Sequence, residues 1–219
     1  MLRTKRPHLV VTAGPTREMI DPVRFISNVS TGEMGYAIAA RAHHLGYRVT
    51  LISGPVSIKP PAGVRVIPVL SAADLLNEML NVWPDTDILV MAAAVCDYRP
   101  VSFSARKLKR KNTARLKLKS TPDILAFFGK HKGPRKMIGF ALETENLEKN
   151  ARRKLKAKHL DLIIGNRLDK AHNPFGKGPA SVVFINRKGK VKRFSKMPKT
   201  YIAKALLQAI RSEERRVGK

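Results

Sequence analysis

Four clusters of polar residues follow short apolar segments of the chain, and their residue types suit the binding of phosphate and carboxylate groups. The clusters read TAGPTRE, AAAVCDYRP, ALETEN and GNRLD. If the apolar segments are parallel strands, their carboxyl ends meet at one edge of a sheet, where ligands of such folds bind. Polar residues after a strand are also ordinary loop composition, so this pattern alone leaves open whether the four clusters form one site.

The first cluster opens an insertion of about eighteen residues, 14–31, between a predicted strand and a predicted helix. Ser30, Thr31 and Gly32 come directly before the helix, whose free N–H groups and positive dipole end attract anions. Ser30 and Glu33 have the spacing of a capping box. The insertion lacks the G-x-G-x-x-G fingerprint, which argues against a nicotinamide dinucleotide. An ordinary capped helix after a long loop would have the same composition.

Two basic segments and one aspartate are further candidates. Residues 106–119 contain eight basic residues and no acidic one, which indicates either a solvated face or a mobile segment that closes over a polyphosphate. In a predicted helix over 144–158, Lys154 and Lys158 share a face, so an anion between them would relieve their repulsion. Asp97 follows a predicted central strand. It is either a turn residue, an acceptor for a base or ribose, or a residue that helps to place a metal.

The apolar periodicity predicts an α/β fold: a doubly wound, mostly parallel Rossmann-like sheet with a C-terminal antiparallel hairpin and a basic flap or arm at about 99–120. The predicted strands cover 8–13, 47–53, 64–69, 87–94, 136–141 and 160–166, and the hairpin covers 181–186 and 190–194. The predicted helices cover 32–45, 71–83, 144–158 and 200–210, and a further helix opens with Thr121 as cap, Pro122 in first position and Asp123 in the first turn. No repeat or linker interrupts the pattern, which predicts a single domain over 1–210.

The composition indicates a cytoplasmic protein with an anionic partner. The chain has 219 residues, a single cysteine, Cys96, and a net charge of +27. A lone cysteine forms no internal disulfide, which favours a reducing compartment, and we expect neither a signal peptide nor a membrane span. A charge of this sign implies nucleic acid, a membrane surface or a phosphorylated small molecule as partner. Residues 211–219 are charged and aperiodic, as in a frayed tail or a non-native junction.

Several segments occur in the same order as in one known family. They are TREMIDPVRFISNVSTGEMGYAIA, VTLISGPVS, MAAAVCDYRP, the following KLKR, TPDIL, GFALETEN and KHLDLIIGN. With them the chain resembles the phosphopantothenoylcysteine synthetase (phosphopantothenate–cysteine ligase) family, closely over about residues 9–166 and loosely beyond. The resemblance implies ligation in two steps. The carboxylate of 4′-phosphopantothenate attacks the α-phosphate of CTP, and the amine of cysteine then displaces CMP. It also implies Mg²⁺, no flavin, and a homodimer in which 113–119 is an arm.

The resemblance implies roles for individual residues, some of which the pattern also singles out. It implies that Asn28 handles the acyl-nucleotide intermediate and that Lys107 is the lysine of a mobile flap, so these two are the expected catalytic residues. Nucleotide binding is expected of Gly14, Thr16, Ser30, Thr31, Gly32, Ala92, Ala93, Asp97, Lys107, Thr121, Pro122, Asp123, Ile124, Phe140, Lys154 and Lys158. Substrate binding is expected of Asn28, Ala93 and Ala94, and the metal ligands stay unassigned.

The sequence departs from the family pattern at several points. Glu33 stands where the family usually has lysine, so a positive charge near the anion site is lost. Pro15 replaces a glycine, and residues 166–169 and 173–181 diverge. These changes bear on efficiency and nucleotide choice rather than on reaction class. The excess positive charge favours a second hypothesis, a nucleic-acid-binding or regulatory protein on a degenerate ligase scaffold. The basic segments, however, lack the interleaved aromatic residues that stack on bases.

Overall fold

Strands and helices alternate through most of the chain. The computed structural model describes residues 6–110, 113–169, 173–176 and 178–217, the last five by their backbone alone. The strands are β1 (His8–Ala13), β2 (Arg17–Met19), β3 (Phe25–Ser27), β4 (Arg48–Ser53), β5 (Arg65–Pro68), β6 (Ile88–Met91), β7 (Tyr98–Pro100), β8 (Leu118–Ser120), β9 (Lys136–Glu143), β10 (Leu162–Arg167), β11 (Ala180–Asn186) and β12 (Val191–Met197). The helices are α1 (Glu33–His44), α2 (Ala72–Val82), α3 (Ile124–Lys130), α4 (Leu147–Ala157) and α5 (Lys199–Val217).

Eight of these strands form the central sheet, in the order β12-β11-β10-β9-β6-β1-β4-β5. The strands from β10 to β5 pair in parallel, whereas β11 and β12 are antiparallel. This arrangement confirms the predicted doubly wound sheet and its C-terminal hairpin. The chain runs outward from β1 to β4 and β5, and then returns to the other side of β1 as β6. The carboxyl ends of β1 and β6 therefore form the topological switch point, where doubly wound sheets bind their ligands.

Helices cover both faces of the sheet, which explains why its central strands are mostly apolar. Leu9 and Val11 of β1 pack on the side of α1 and α5, whereas Val10 packs on the side of α2, α3 and α4. Successive side chains of a strand point to opposite faces, so a strand covered on both faces is mostly apolar at every position, and its few polar side chains, such as Thr12 and Thr50, are buried. Each fully buried large aliphatic side chain contributes about 1.5–3 kcal/mol to stability. No helix in the described part of the chain is long and apolar enough to cross a membrane.

The predicted capping box at the start of α1 is wrong. Gly32 is the N-cap residue, with a left-handed φ of 78°, and no side chain caps the helix. The Ser30 hydroxyl accepts only a long hydrogen bond, 3.4 Å, from the Gly32 N–H. The Glu33 carboxylate instead lies 3.0 Å from the Lys199 ammonium. The first N–H groups of α1 are therefore left without a side-chain partner among the described residues.

The predicted start of α3 is also wrong. The Thr121 hydroxyl does not cap the helix but donates to the carbonyl of Cys96 over 2.5 Å. Asp123 is the cap, because its carboxylate accepts the N–H of Ala126 at 3.0 Å. The predicted cap of α2 is confirmed, since the Ser71 hydroxyl accepts the N–H of the third helical residue in a capping box.

Two helix boundaries differ from the prediction. Helix α4 begins at Leu147 rather than near residue 144, because β9 extends to Glu143 and Asn146 has a left-handed φ of 50°. Helix α5, predicted to end at residue 210, continues to Val217, so residues 211–217, expected to be a frayed tail or a non-native junction, are helical.

Two short antiparallel ribbons stand apart from the central sheet. Strands β2 and β3 pair inside the insertion 14–31, where the sequence pattern predicts no strands. Strands β7 and β8 pair at the base of the predicted flap, and the Val101 N–H continues the ribbon by donating to Lys117 at 3.0 Å. Several large apolar side chains of this ribbon are exposed, namely Tyr98, Val101, Phe103, Leu116 and Leu118.

His8 is a buried titratable side chain at the amino end of β1. Its Nδ1 lies 2.9 Å from the carbonyl oxygen of Asp85, and its Nε2 lies 2.8 Å from Thr50 Oγ1. A neutral ring protonated on Nδ1 donates to the carbonyl and accepts from the hydroxyl, which satisfies both nitrogens. Burial lowers the pKa of His8, and the positive charge of Arg48 lowers it further. The hydrogen bond with the Asp85 carbonyl and the carboxylates of Asp85 and Asp87 raise the pKa, but by less.

We expect the free energy of unfolding to fall as the pH drops below about 6.5, the ordinary pKa of histidine. The pKa of His8 is lowered in the folded state, so the unfolded chain binds the proton more readily, and stability is lost as the pH falls through the folded-state pKa. His8→Gln removes this titration, and its urea unfolding between about pH 5 and pH 8 should depend less on pH than that of the wild type. His44→Gln, at an exposed histidine, is the control. An unchanged pH dependence in His8→Gln would contradict the prediction.

Candidate active site

The loops that follow β1 and β6 are joined by their backbones. The Ala94 N–H donates to the Gly14 carbonyl over 2.9 Å, and the Thr16 N–H donates to the Ala94 carbonyl over 3.2 Å. The Thr16 hydroxyl accepts the N–H of Cys96 at 2.9 Å, and the Thr16 side chain is buried. Thr16 therefore holds the two loops together from beneath, whereas the predicted residues Ala92, Ala93 and Ala94 are partly exposed above it.

The start of α1 is pressed against the loop after β1. Gly14 and Gly32 have φ values of 72° and 78°, a conformation that residues with a Cβ rarely adopt. A Cβ on Gly32 would lie 2.8 Å from Val56 Cγ1 and 3.3 Å from the Gly14 nitrogen. The uncapped N–H groups of α1 thus come close to the end of β1. With Ser30 and Thr31 beside them, they form a candidate anion site.

Asn28 is positioned by the β2–β3 ribbon. The Ser27 hydroxyl donates to the Thr16 carbonyl over 2.8 Å, which ties the end of β3 to the loop after β1. The Asn28 amide then donates to the carbonyls of Val95, at 2.9 Å, and Ala94, at 3.3 Å, while the residue stays exposed. The structure therefore brings Asn28 next to the loop that carries the other predicted substrate-binding residues.

Lys154 of α4 and Lys158, the C-cap residue that directly follows this helix, face the same end of the sheet. Lys154 Nζ donates to the carbonyl of Phe140 over 2.8 Å, and Lys158 Nζ pairs with the Asp123 carboxylate. Burial lowers the pKa of both lysines, and the nearby Asp97 carboxylate acts in the opposite direction on each. Asp97 and the two lysines thus form one electrostatic cluster, with the Glu143 carboxylate also acting on Lys154.

Of the predicted nucleotide-binding residues in the segment after β8, some are exposed beside this cluster and one is buried beneath it. The Thr121 N–H donates to the Asp97 carbonyl over 2.9 Å, which anchors the segment to the loop after β6. Asp123 and Pro122 are exposed beside the cluster. Ile124, predicted to line the nucleotide pocket, is only 2% exposed and packs in the core with α2 and α4. Its apolar side chain supports the pocket rather than lining it.

The described residues contain no group of three or more histidine, cysteine, aspartate or glutamate side chains that could hold a metal ion. The carboxylates that act on Lys154 and Lys158 are those of Glu143, Asp97 and Asp123, and Asp123 is paired with Lys158. A metal at this site would therefore depend largely on ligands from the substrate, as is usual for Mg²⁺ with nucleotides.

Lys107 lies outside the cluster, and its ammonium group makes no hydrogen bond or ion pair within the described part of the chain. Its neighbour Leu108 is held on both sides of its backbone. The Leu108 N–H donates to Asp21 Oδ2 over 3.1 Å, and the Leu108 carbonyl accepts a hydrogen bond of 2.6 Å from the Arg24 guanidinium. The Ser104 N–H also donates a hydrogen bond of 3.0 Å to the Ile20 carbonyl. The predicted flap is thus docked on the turn between β2 and β3.

Asp21, at the centre of this contact, has no exposed side-chain surface. Burial alone would raise its pKa, but hydrogen bonds from the Val23 N–H, the Arg24 guanidinium and the Leu108 N–H hold the pKa well below its usual range. Sequence reasoning assigned no role to Asp21 or Arg24. Their three-residue spacing after a short strand, as in a turn closed by an aspartate side chain, is the signal that would have found them.

Glu33 at the start of α1, where the family usually has lysine, is paired with a lysine of the last helix. Lys199, at the start of α5, donates to Glu33 Oε2 over 3.0 Å, and both side chains are largely buried. Lys199 also contacts the carbonyl of Gly176, in the divergent segment before β11. The Glu33 carboxylate is therefore neutralised and does not oppose an anion at the helix start.

A doubly wound sheet whose switch point gathers an amide, a carboxylate and two lysines is typical of α/β proteins that bind phosphorylated ligands. The chain belongs to the family described as DNA/pantothenate metabolism flavoprotein C-terminal domain, whose model matches residues 4–213. It is 43% identical over 213 residues to the coenzyme A biosynthesis bifunctional protein CoaBC of Bacillus subtilis (strain 168). The match covers 96% of this chain and 52% of that protein, so the chain spans about half the length of this relative.

Solved structures agree with this assignment. The crystal structure of the C-terminal domain of a coenzyme A biosynthesis bifunctional protein CoaBC has a TM-score of 0.82 and 35% identity, covering 95% of this chain and 96% of that one. A more distant protein, solved in complex with phosphopantothenate-cysteine, has a TM-score of 0.77 at 18% identity over 97% of this chain and 89% of that one, which shows a shared fold.

We expect Asp21→Asn to release the flap. An amide presents a donor where Asp21 now accepts N–H groups on both oxygens, so the bond to Leu108 should be lost. Trypsin should then cleave within residues 106–110 faster than in the wild type, and amide exchange at Leu108 and Ser104 should accelerate. Asp74→Asn, at the cap of α2, removes a comparable acceptor away from the flap and is the control. Identical cleavage rates in Asp21→Asn and the wild type would show that this contact does not hold the flap.

Proposed function

We propose that this domain joins 4′-phosphopantothenate to cysteine through an acyl-cytidylate, with CTP as the co-substrate. The observation that carries the proposal is the convergence of Asn28, Asp97, Lys154 and Lys158 at the carboxyl ends of the central strands. Family membership supports the same reaction. A carboxylate is a poor acyl donor, and its conversion to a mixed anhydride with CMP provides a good leaving group. Most of the protein's task is then positioning and charge neutralisation.

In the first step, a carboxylate oxygen of phosphopantothenate forms a bond to the α-phosphorus of CTP, and the bond to pyrophosphate breaks. We assign Lys154 and Lys158 to the nucleotide phosphates, since an anion between them would relieve their mutual repulsion and displace Lys158 from Asp123. Lys107 reaches the leaving pyrophosphate from the flap. The uncapped start of α1, with Gly14, Ser30, Thr31 and Gly32, receives a second anionic group.

In the second step, the cysteine nitrogen attacks the acyl carbon and releases a proton to solvent as the amide bond forms. CMP leaves with the electron pair of the broken bond between the acyl carbon and the phosphate oxygen. Asn28 lies beside the Ala94 and Val95 carbonyls, where its amide can orient the acyl group. Cys96 is not the nucleophile, because its thiol is buried and burial raises its pKa. Bound Mg²⁺ supplies charge neutralisation on the triphosphate, and Asp97 is the candidate protein ligand.

We also propose a homodimer in which the β7–β8 ribbon of each copy contacts its partner. The exposed apolar side chains of this ribbon, Tyr98, Val101, Phe103, Leu116 and Leu118, support the proposal. Large apolar side chains that are exposed together on neighbouring segments are characteristic of protein–protein contact sites.

Pyrophosphate release from CTP should depend on phosphopantothenate, and CMP release should depend in addition on cysteine. We expect Asn28→Ala to keep the first step and to slow transfer to cysteine about 100-fold, so that the acyl-cytidylate accumulates. Asn81→Ala, at an exposed asparagine of α2, is the matched control. Normal turnover by Asn28→Ala would refute the role of that residue, and the absence of pyrophosphate release from both CTP and ATP would refute the function.

Two neighbouring lysines of α4 test the nucleotide site. We expect Lys154→Met to raise the KM for CTP by roughly 10- to 100-fold, because it removes a partly buried charge beside the phosphates. Lys156→Met makes the same chemical change two residues away on the exposed side of the helix and should leave the KM unchanged. Similar KM values for both variants would place the nucleotide elsewhere.

A further inference from the structure

Helix α4 carries basic side chains on two opposite faces. Lys154 and Lys158 point toward the candidate active site. Lys149, Arg153 and Lys156 are exposed on the other side, four and three residues apart, which places them in one stripe along the helix. The proposed ligase reaction makes use of the first face only. The second face therefore needs an explanation of its own.

The outward stripe continues onto the hairpin of β11 and β12. Arg152 donates to the carbonyl of Gly189 over 3.2 Å, which joins the helix to the turn that carries Lys188 and Lys190. We call the exposed residues Lys149, Arg152, Arg153, Lys156, Lys188 and Lys190 the outer basic surface. It combines one face of α4 with the end of the edge hairpin.

Two acidic residues beside the outer basic surface, Glu148 and Asp161, are already paired. Glu148 accepts from Arg193, and Asp161 accepts from Lys132 and Arg187. Lys149, Arg153 and Lys156 make no ion pair within the described residues. Like charges at this helical spacing repel each other, so the stripe is mildly unfavourable unless an external anion neutralises it.

We propose that the outer basic surface binds the sugar-phosphate backbone of a nucleic-acid duplex. The stripe runs over the seven helical steps from Lys149 to Lys156, which span about 10 Å, and it carries three positive charges. One strand of a duplex presents a phosphate per roughly 3.4 Å of the axis, so the stripe matches the phosphate spacing of one strand. Unpaired bases require aromatic side chains for stacking. Among the described residues, no exposed aromatic side chain belongs to α4 or to the hairpin turn.

A membrane is a poorer match than a duplex. Helices that lie in a membrane surface bury an apolar face in the lipid. None of the exposed large apolar side chains of the described chain lies on α4 or on the turn between β11 and β12. The surface is charged without an adjacent apolar strip, as in proteins that contact phosphates without entering a hydrophobic phase.

The proposal is tested by fluorescence anisotropy of the full chain with a labelled random-sequence DNA duplex of about 20 base pairs, over a series of salt concentrations. The test variant carries Lys149→Glu, Arg153→Glu and Lys156→Glu. The control carries Arg6→Glu, Lys59→Glu and Arg65→Glu, which reverse the same number of exposed charges at the start of β1, in the loop after β4 and on β5, the opposite edge of the sheet. Thermal unfolding verifies that both variants fold.

We expect the wild type and the control to bind the duplex with steep salt dependence. The test variant should bind at least about tenfold more weakly, with a slope of log K against log salt that is smaller by about three. Absence of duplex binding by the wild type at low salt would overturn the proposal. So would equal losses in both variants, equal or tighter binding of a single strand of the same length, or binding to phosphatidylserine-containing vesicles but not to the duplex.

Discussion

The close contact between the start of α1 and the loops after β1 and β4 is the constraint on which the site depends. A Cβ on Gly54 would lie 1.9 Å from the Pro15 carbonyl oxygen, and one on Gly14 would lie 2.9 Å from Gly54. No side chain fits between these backbones, so the N–H groups of α1 stay beside the end of β1. The β2–β3 ribbon lies next to the loop after β6 and is tied to the loop after β1 by the Ser27 hydroxyl. Asn28, directly after this ribbon, therefore meets the carbonyls of Ala94 and Val95.

Sequence reasoning found the central sheet because its strands are apolar on both faces, and burial alone determines that pattern. The short strands β2 and β3 escaped it because no periodicity can develop in three residues each. They are held by tertiary bonds, such as that between the Ser27 hydroxyl and Thr16, which no local pattern encodes. The capping box at Ser30 fitted the sequence, but the left-handed conformation of Gly32 turned the preceding residues away from the helix axis.

Sequence reasoning likewise found some of the site residues, misjudged the exposure of others and missed two. Lys154 and Lys158 were found because helical spacing fixes their common face, and the structure places both near Asp97. Thr16, in the loop after β1, and Ile124, at the start of α3, lie in the right segments but beneath the surface. A motif shows which segment is near a site and not which side chain faces it. Asp21 and Arg24 were missed because their partner, the backbone of Leu108, is 87 and 84 residues away in sequence.

The charge on α4 shows how one helix can serve two surfaces. Its inward lysines are partly buried and have lowered pKa values, whereas its outward basic residues stay in solvent. A helix repeats every 3.6 residues, so neighbouring lysines such as Lys154 and Lys156 fall on different faces. Net charge alone therefore says little about which cations belong to the reaction.

The ion pair between Glu33 and Lys199 connects positions 166 residues apart. A chain that emerges from the ribosome forms the glycine-rich loop and α1 early, but the Glu33 carboxylate stays unneutralised until α5 has been synthesised and has docked against α1. Domains fold as units as their last elements become available. The anion site at the start of α1 thus acquires its final electrostatic character only when nearly the whole domain has been made.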